Sequence, residues 1–505
     1  MNIKRAKEEI KNTVEAYLHK DELGSCYIPM IRQRPILLIG PPGVGKTQIM
    51  EQIAKECRIG LVAYTITHHT RQSAVGLPFI EKKTYEGKEY AITQYTMSEI
   101  VAAIYEKIQQ TGLKEGILFI DEINCVSETL APTMLQFLQC KTFGNHLIPE
   151  GWIIVAAGNP PEYNKSVRDF DVVTLDRVKR ILVEPDYEVW KEYAYGAGIH
   201  PAILSYLNVK KQYLCYIETT VDGKLFATPR GWEDLSQLLE VYEKLGKKAD
   251  REVIVQYLQH PKISKDFANY LELYEKYQED YQIDEILSGV IKESLCHKLA
   301  RAPFDERLSI VGLLLSRLGA RFREILEEEA WMERTMQVLK RFLRAEADQK
   351  IPSGQLASLI QETADEREQL KTQELLTKRE DRIYHKMLER LEGYRRELAA
   401  WEDGQTEPHK GKDASSAGEF LQERFGEASD RFEAEFEETA QMLEHGFDFM
   451  EAAFGDSQEM VIFITELNRS PYSTQFLQRY DCQRYYEYNS RLLFDEREME
   501  ILGKS

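Results

Sequence analysis

Between residues 35 and 185, short apolar runs alternate with stretches whose apolar residues recur every three or four positions. The runs are PILLI (35–39), LVAYTI (61–66), ILFID (117–121), WIIVAA (152–157) and VKRILV (178–183). Each is short, rich in β-branched residues and apolar towards both faces. That pattern predicts parallel strands buried under helices. Helical stretches near 46–57, 98–111 and 128–139 fall between most of them. Ahead of the first run, Ile3, Ala6, Ile10, Val14 and Leu18 recur at helical spacing and predict an amphipathic helix packed on the next element. The fold class expected for residues 1–185 is therefore α/β, a three-layer αβα arrangement around a parallel sheet.

From about 186 the strands are expected to stop. Residues 186–248 read as short helices, and residues 249–401 as a helical domain ending in one long charged helix over 355–401. The apolar seam Ile383, Met387, Leu391, Tyr394, Leu398 and Trp401 suits either a helix packed on its own domain or a coiled coil with another chain. Residues 402–418 hold no large aliphatic side chain and several Gly, Ser and Pro, the composition of a flexible linker. A tail over 419–505 follows. In it Phe432, Phe436, Ala440, Leu443, Phe447, Met450 and Phe454 mark one helix face. The opposite face is acidic, and suits either plain solvation or the docking of a basic partner.

The chain of 505 residues carries a net charge of -19. A polyanion repels phosphate backbones, so nucleic acid is an unfavoured partner. The seven cysteines are scattered and form no C-x-x-C pair, which points away from a disulfide framework or a zinc site. The first twenty residues lack the apolar core and cleavage site of a signal peptide, and no apolar run is long enough to span a bilayer. A cytoplasmic location is expected.

The clearest chemistry lies in Gly40-Pro41-Pro42-Gly43-Val44-Gly45-Lys46-Thr47, which matches G-x-x-x-x-G-K-[ST] between a predicted strand and a predicted helix. Glycines let the backbone curl with its N–H groups inward, cradling phosphates with the helix N-terminus. Lys46 would bring a charge to the β- and γ-phosphates, and Thr47 a hydroxyl to Mg²⁺. The run ILFI ends in Asp121 and Glu122. Asp121 would hold the metal and Glu122 would polarise the attacking water. Asn159, in AAGNP after the fourth run, would stand at the same sheet edge and orient that water. Arg177, in TLDRVKR, and Arg230, in ATPRGW, are candidates for neutralising charge on the transferring phosphoryl group.

Taken in order, these elements over residues 1–245 resemble an AAA+ ATPase module. GNPPEYN, LDRV, TPRGWEDLS and Gly76-Leu77-Pro78 are similar to the MoxR-like, dynein-related branch. The resemblance implies an extra strand between the P-loop strand and the Asp-Glu strand. It implies ATP as the nucleotide, a helical lid over 186–248, and a ring, usually of six subunits, with ATP between neighbours. Arg177 would then act in trans, with Arg168 and Arg180 close by as alternatives, and Arg230 would sense nucleotide through the lid. The task implied is the remodelling of a protein client, possibly one with a von Willebrand factor A domain. A DNA-acting motor and a nucleotide-dependent scaffold that does not hydrolyse are the competing functions.

Overall fold

The computed structural model describes the chain except for residues 69–71, 73, 75, 144–145, 164–166, 168–169, 222, 346–350, 406–415 and 503–505. Two compact units are formed. One comprises Met1–Val189 with Glu368–Thr377, the other Trp190–Arg367 with Lys378–Ser505.

The first unit is built on strands β1 (Ile36–Ile39), β2 (Gly60–Thr65), β3 (Gly116–Asp121), β4 (Trp152–Gly158) and β5 (Lys179–Leu182). They pair in the order β2-β3-β4-β1-β5, all parallel. Each predicted run is a strand, and β4 is the extra strand expected between β1 and β3. The side chains alternate between two cores with the period of two that a strand imposes. Ile36, Leu38, Ile117, Phe119, Ile153 and Val155 face the helices Ile3–Leu18 and Lys46–Cys57. Leu37, Leu118, Ile120, Ile154 and Ala156 face the helices Glu99–Thr111 and Ala131–Cys140. Burial on both faces is why these runs are apolar at successive positions. An antiparallel hairpin, Pro78–Tyr85 with Lys88–Tyr95, is inserted between β2 and the helix Glu99–Thr111.

The second unit is mostly helical, with long helices at Phe304–Ala345, Lys378–Gln405 and Ala417–Phe454. Three expectations need correction. Strands do not stop at 186: Tyr216–Thr220 and Gly223–Ala227 form a hairpin. Their alternation of β-branched and polar residues was the signal, outweighed by the helical stretches around it. The long helix expected over 355–401 is two helices, Pro352–Thr372 and Lys378–Gln405. The break carries Glu374 in the left-handed region, at φ 58°. Helix also covers both ends of the stretch expected as a linker, through Gln405 and from Ala417, while its middle, 406–415, lies outside the described residues. The seam from Ile383 to Leu398 is buried within its own unit against neighbouring helices, as are Phe432, Phe436, Leu443 and Phe447.

Candidate functional site

β1 ends at Ile39, and the chain turns through Gly40–Gly45 into the helix Lys46–Cys57. Gly43 and Gly45 sit at φ 79° and 89°, which L side chains rarely adopt, so the turn needs glycine at both. Gly45 caps the helix without a side-chain hydrogen bond, and a helix N-terminus at the end of such a turn is suited to receive an anion. Lys46 is buried, yet its ammonium is well held. Nζ donates to the carbonyls of Gly40 and Pro41, each at 2.8 Å, and to Asn159 Oδ1 at 3.0 Å. The hydroxyl of Thr47 donates to Asp121 Oδ2 at 3.3 Å. Parallel pairing explains the convergence: β3, β4 and β1 are neighbours, so Asp121, Asn159 and the glycine loop leave the sheet at one carboxyl edge.

Glu122 follows Asp121 with φ 57°, a conformation costly for a residue other than glycine and often kept at functional sites. Its N–H donates to Asp121 Oδ1 at 2.8 Å, and its carboxylate accepts from Thr67 Oγ1 at 3.0 Å. Asn124 donates through Nδ2 to the carbonyl of Asn159 at 2.8 Å. A Cβ on Gly158 would lie 2.5 Å from Asn124 Oδ1, so glycine there lets the amide come close enough to hold the Asn159 main chain. Among the described residues, Thr67 and Asn124 are site residues that sequence reasoning missed. The available signals were weak: Thr67 follows the end of the second strand, and Asn124 lies two residues past the acidic pair.

Residues 36–173 match the model of the ATPase family associated with various cellular activities, AAA. This segment is an AAA domain. Such a domain binds nucleotide, and the match runs from β1 past the asparagine at the end of β4. A search of curated proteins finds no match.

The AAA domain supplies two hard oxygen donors for a divalent cation, the hydroxyl of Thr47 and the carboxylate of Asp121. Among the described residues no group of three or more His, Cys, Asp or Glu gathers to hold a metal. A hydroxyl and a carboxylate are the kind of ligands that Mg²⁺ takes, one or two protein oxygens with the shell completed by phosphate and water.

Arg177 lies elsewhere in the first unit. Arg177 precedes β5, and Lys179 of β5 is in register with Ile36 at the start of β1. It thus stands at the amino edge of the sheet, a strand length, about 13 Å, from the edge that carries Lys46. It is exposed and donates to Gln139 Oε1. Arg180 lies within β5 and is also exposed, while Arg168 falls outside the described residues. Arg230 belongs to the second unit, exposed in the first turn of the helix Pro229–Lys244, whose N-cap is Thr228.

Proposed function

We propose that this chain hydrolyses ATP with Mg²⁺ and, as a MoxR-like motor, spends the cycle on remodelling a protein partner. The observation that carries the reading is the meeting at one sheet edge of Lys46 with Asn159 (3.0 Å) and of Thr47 with Asp121 (3.3 Å).

The N–H groups from Gly43 to Thr47 hold the β- and γ-phosphates, and Lys46 exchanges its carbonyl acceptors for phosphate oxygens. A magnesium ion held by Thr47 and Asp121 would offset the phosphate charge. Glu122 leaves Thr67, accepts a proton from water, and directs the oxygen at the γ-phosphorus. The bond from that phosphorus to the bridging oxygen breaks, giving ADP and phosphate. Asn159, steadied by Asn124, keeps the water in line.

Arg177 is exposed at the opposite edge of its own sheet, which supports its service to the ATP of a neighbouring copy in a ring, hexameric by resemblance. The hairpin inserted after β2 stands where the MoxR-like resemblance has its insertion, and so supports that branch. The lid role of Arg230 and a client with a von Willebrand factor A domain rest on the resemblance.

Phosphate release tests the reading. The parent should turn over ATP; Lys46→Ala should neither bind nor hydrolyse it. The Glu122→Gln chain should retain its client for identification by co-purification. Inactive Arg177→Ala mixed with inactive Lys46→Ala should recover activity; no recovery would remove Arg177 from the trans role.

A further inference from the structure

The second unit contains a cavity of about 250 Å³. Its walls come from the helices Tyr187–Ala197, Pro201–Val209 and Pro229–Lys244 on one side, and from Phe304–Ala345, Gln458–Arg469 and Pro471–Arg479 on the other. The space exists because Ser316, Gly319 and Ala320 fall on one face of the long helix and fill little of it. A Cβ on Gly319 would meet nothing within 4 Å. Apolar walls come from Leu308, Val311, Leu315 and Ile462.

The charged groups of the wall divide into two kinds. Lys191 and Glu466 are buried, 1% and 4% exposed, and form an ion pair. Asn208 Oδ1, at 2.8 Å from Lys191 Nζ, and the Tyr195 hydroxyl, donating to Glu466, close that pair off. Arg323 and Glu240 also line the cavity and are half-buried, but neither has a hydrogen-bond or ion-pair partner among the described residues. Arg323 Nη1 lies 2.8 Å from where a Cβ on Gly198 would stand, so the guanidinium reaches across to the facing wall.

We propose that this cavity binds a small zwitterion of amino-acid type. Its carboxylate takes the fork of Arg323, its ammonium meets Glu240, and its aliphatic body lies towards Leu315, the nearest apolar wall residue along the long helix. Apolar walls with a few convergent polar groups are the ordinary composition of a small-molecule site. A guanidinium is suited to a planar carboxylate. A plain anion would face Glu240 and a plain cation Arg323; only a ligand with both charges leaves neither group uncompensated. The proposal is independent of the ATP site.

The test titrates the full chain with L-leucine and L-phenylalanine by calorimetry, against two truncated probes. These are 4-methylpentanoate, which lacks the ammonium, and 3-methylbutylamine, which lacks the carboxylate. Saturable binding of at least one amino acid is expected, with both truncated probes weaker by about tenfold or more. Arg323→Gln should reduce leucine to the affinity of 3-methylbutylamine, and Glu240→Gln to that of 4-methylpentanoate. Gly319→Leu, which fills open space, should abolish binding while the thermal midpoint stays at or above that of the parent. The proposal is overturned if neither amino acid saturates up to about 10 mM, if the truncated probes bind as well, or if the Gly319→Leu protein binds like the parent.

Discussion

Lys46 in the α/β unit and Lys191 in the helical unit are both buried, at 8% and 1% exposure, and are held in different ways. The acceptors of Lys46 include three neutral oxygens, the carbonyls of Gly40 and Pro41 and the amide oxygen of Asn159. Lys191 donates to a buried carboxylate, Glu466, and to Asn208. Neutral oxygens offset part of the cost of taking an ammonium out of water, and phosphate oxygens can replace them with a gain. A buried carboxylate neutralises the ammonium but cannot be left behind without stranding its own charge. A lysine that must meet an arriving anion therefore waits on weaker acceptors, and one that organises a core is paired outright.

The largest effects follow from exchanging these situations. Lys46→Ala should weaken ATP binding by at least about 100-fold, since several charge-assisted bonds to phosphate go with it. Its thermal midpoint should stay within a few degrees of the parent. Lys191→Ala should do the reverse: ATP affinity unchanged, and a loss of about 3 kcal/mol in the denaturant transition of the helical unit, because buried Glu466 loses its close ammonium partner and keeps Arg469 at 3.9 Å. Replacing the pair together, Lys191→Met with Glu466→Leu, should restore most of that loss. Equilibrium binding of a fluorescent ATP analogue and urea unfolding check both halves. If the two single substitutions weaken binding and stability alike, the contrast is wrong.

The next effects lie at the acidic pair. Glu122→Gln should lower turnover by about 100-fold or more, the usual size of a general base, with ATP affinity kept. Thr67→Val should act in the opposite sense and more weakly. The hydroxyl occupies a lone pair of Glu122 that must be free to take the proton of water, so removing it should raise basal phosphate release severalfold. Thr67→Ser, which keeps the donor, should retain the parental rate. A Thr67→Val rate below the parent would recast the threonine as a support for the productive carboxylate position.

The same contrast between exchangeable and committed contacts marks what could be read from the chain. β1 to β5 were legible because each is apolar at successive positions, as burial under helices on both sides demands. Gly40 to Thr47 was legible because its chemistry is local. The meeting of Asp121 with Thr47 followed from parallel pairing of strands already expected. Contacts made across the fold were not legible. Nothing beside Thr67 announces that its hydroxyl reaches Glu122, fifty-five residues on. Between 355 and 392 no glycine or proline marks the end of a helix. The break after Thr372 coincides with distant contacts instead: Glu374 pairs with buried Lys107 at 2.7 Å, and Gln373 donates to the carbonyl of Thr111 at 3.3 Å. Arg177 was named from its motif, but its place at the amino edge needed the direction of β5.

A third buried lysine gives the comparison its finest test. Lys141, 4% exposed, donates to the main-chain carbonyl of Met30 at 2.6 Å, and burial pulls its pKa down to about 8. In the unfolded chain the value is near 10.4. Between these values the unfolded chain binds more protons than the folded one, so stability rises as pH rises through that window. Below about pH 8 both states carry the proton and the penalty is constant. Lys141→Met removes the buried charge and should be more stable than the parent at pH 7 by about 1–2 kcal/mol, part of the full linkage being offset by the lost bond to Met30. Urea unfolding of both proteins at pH 7, 8, 9 and 10 should show that advantage shrinking as the parent gains and the variant does not. A constant difference across the series would mean that the Met30 carbonyl alone satisfies the ammonium. Neutral acceptors would then hold a buried lysine at no lasting cost, and the neutral partners of Lys46 would no longer mark it as a residue waiting for phosphate.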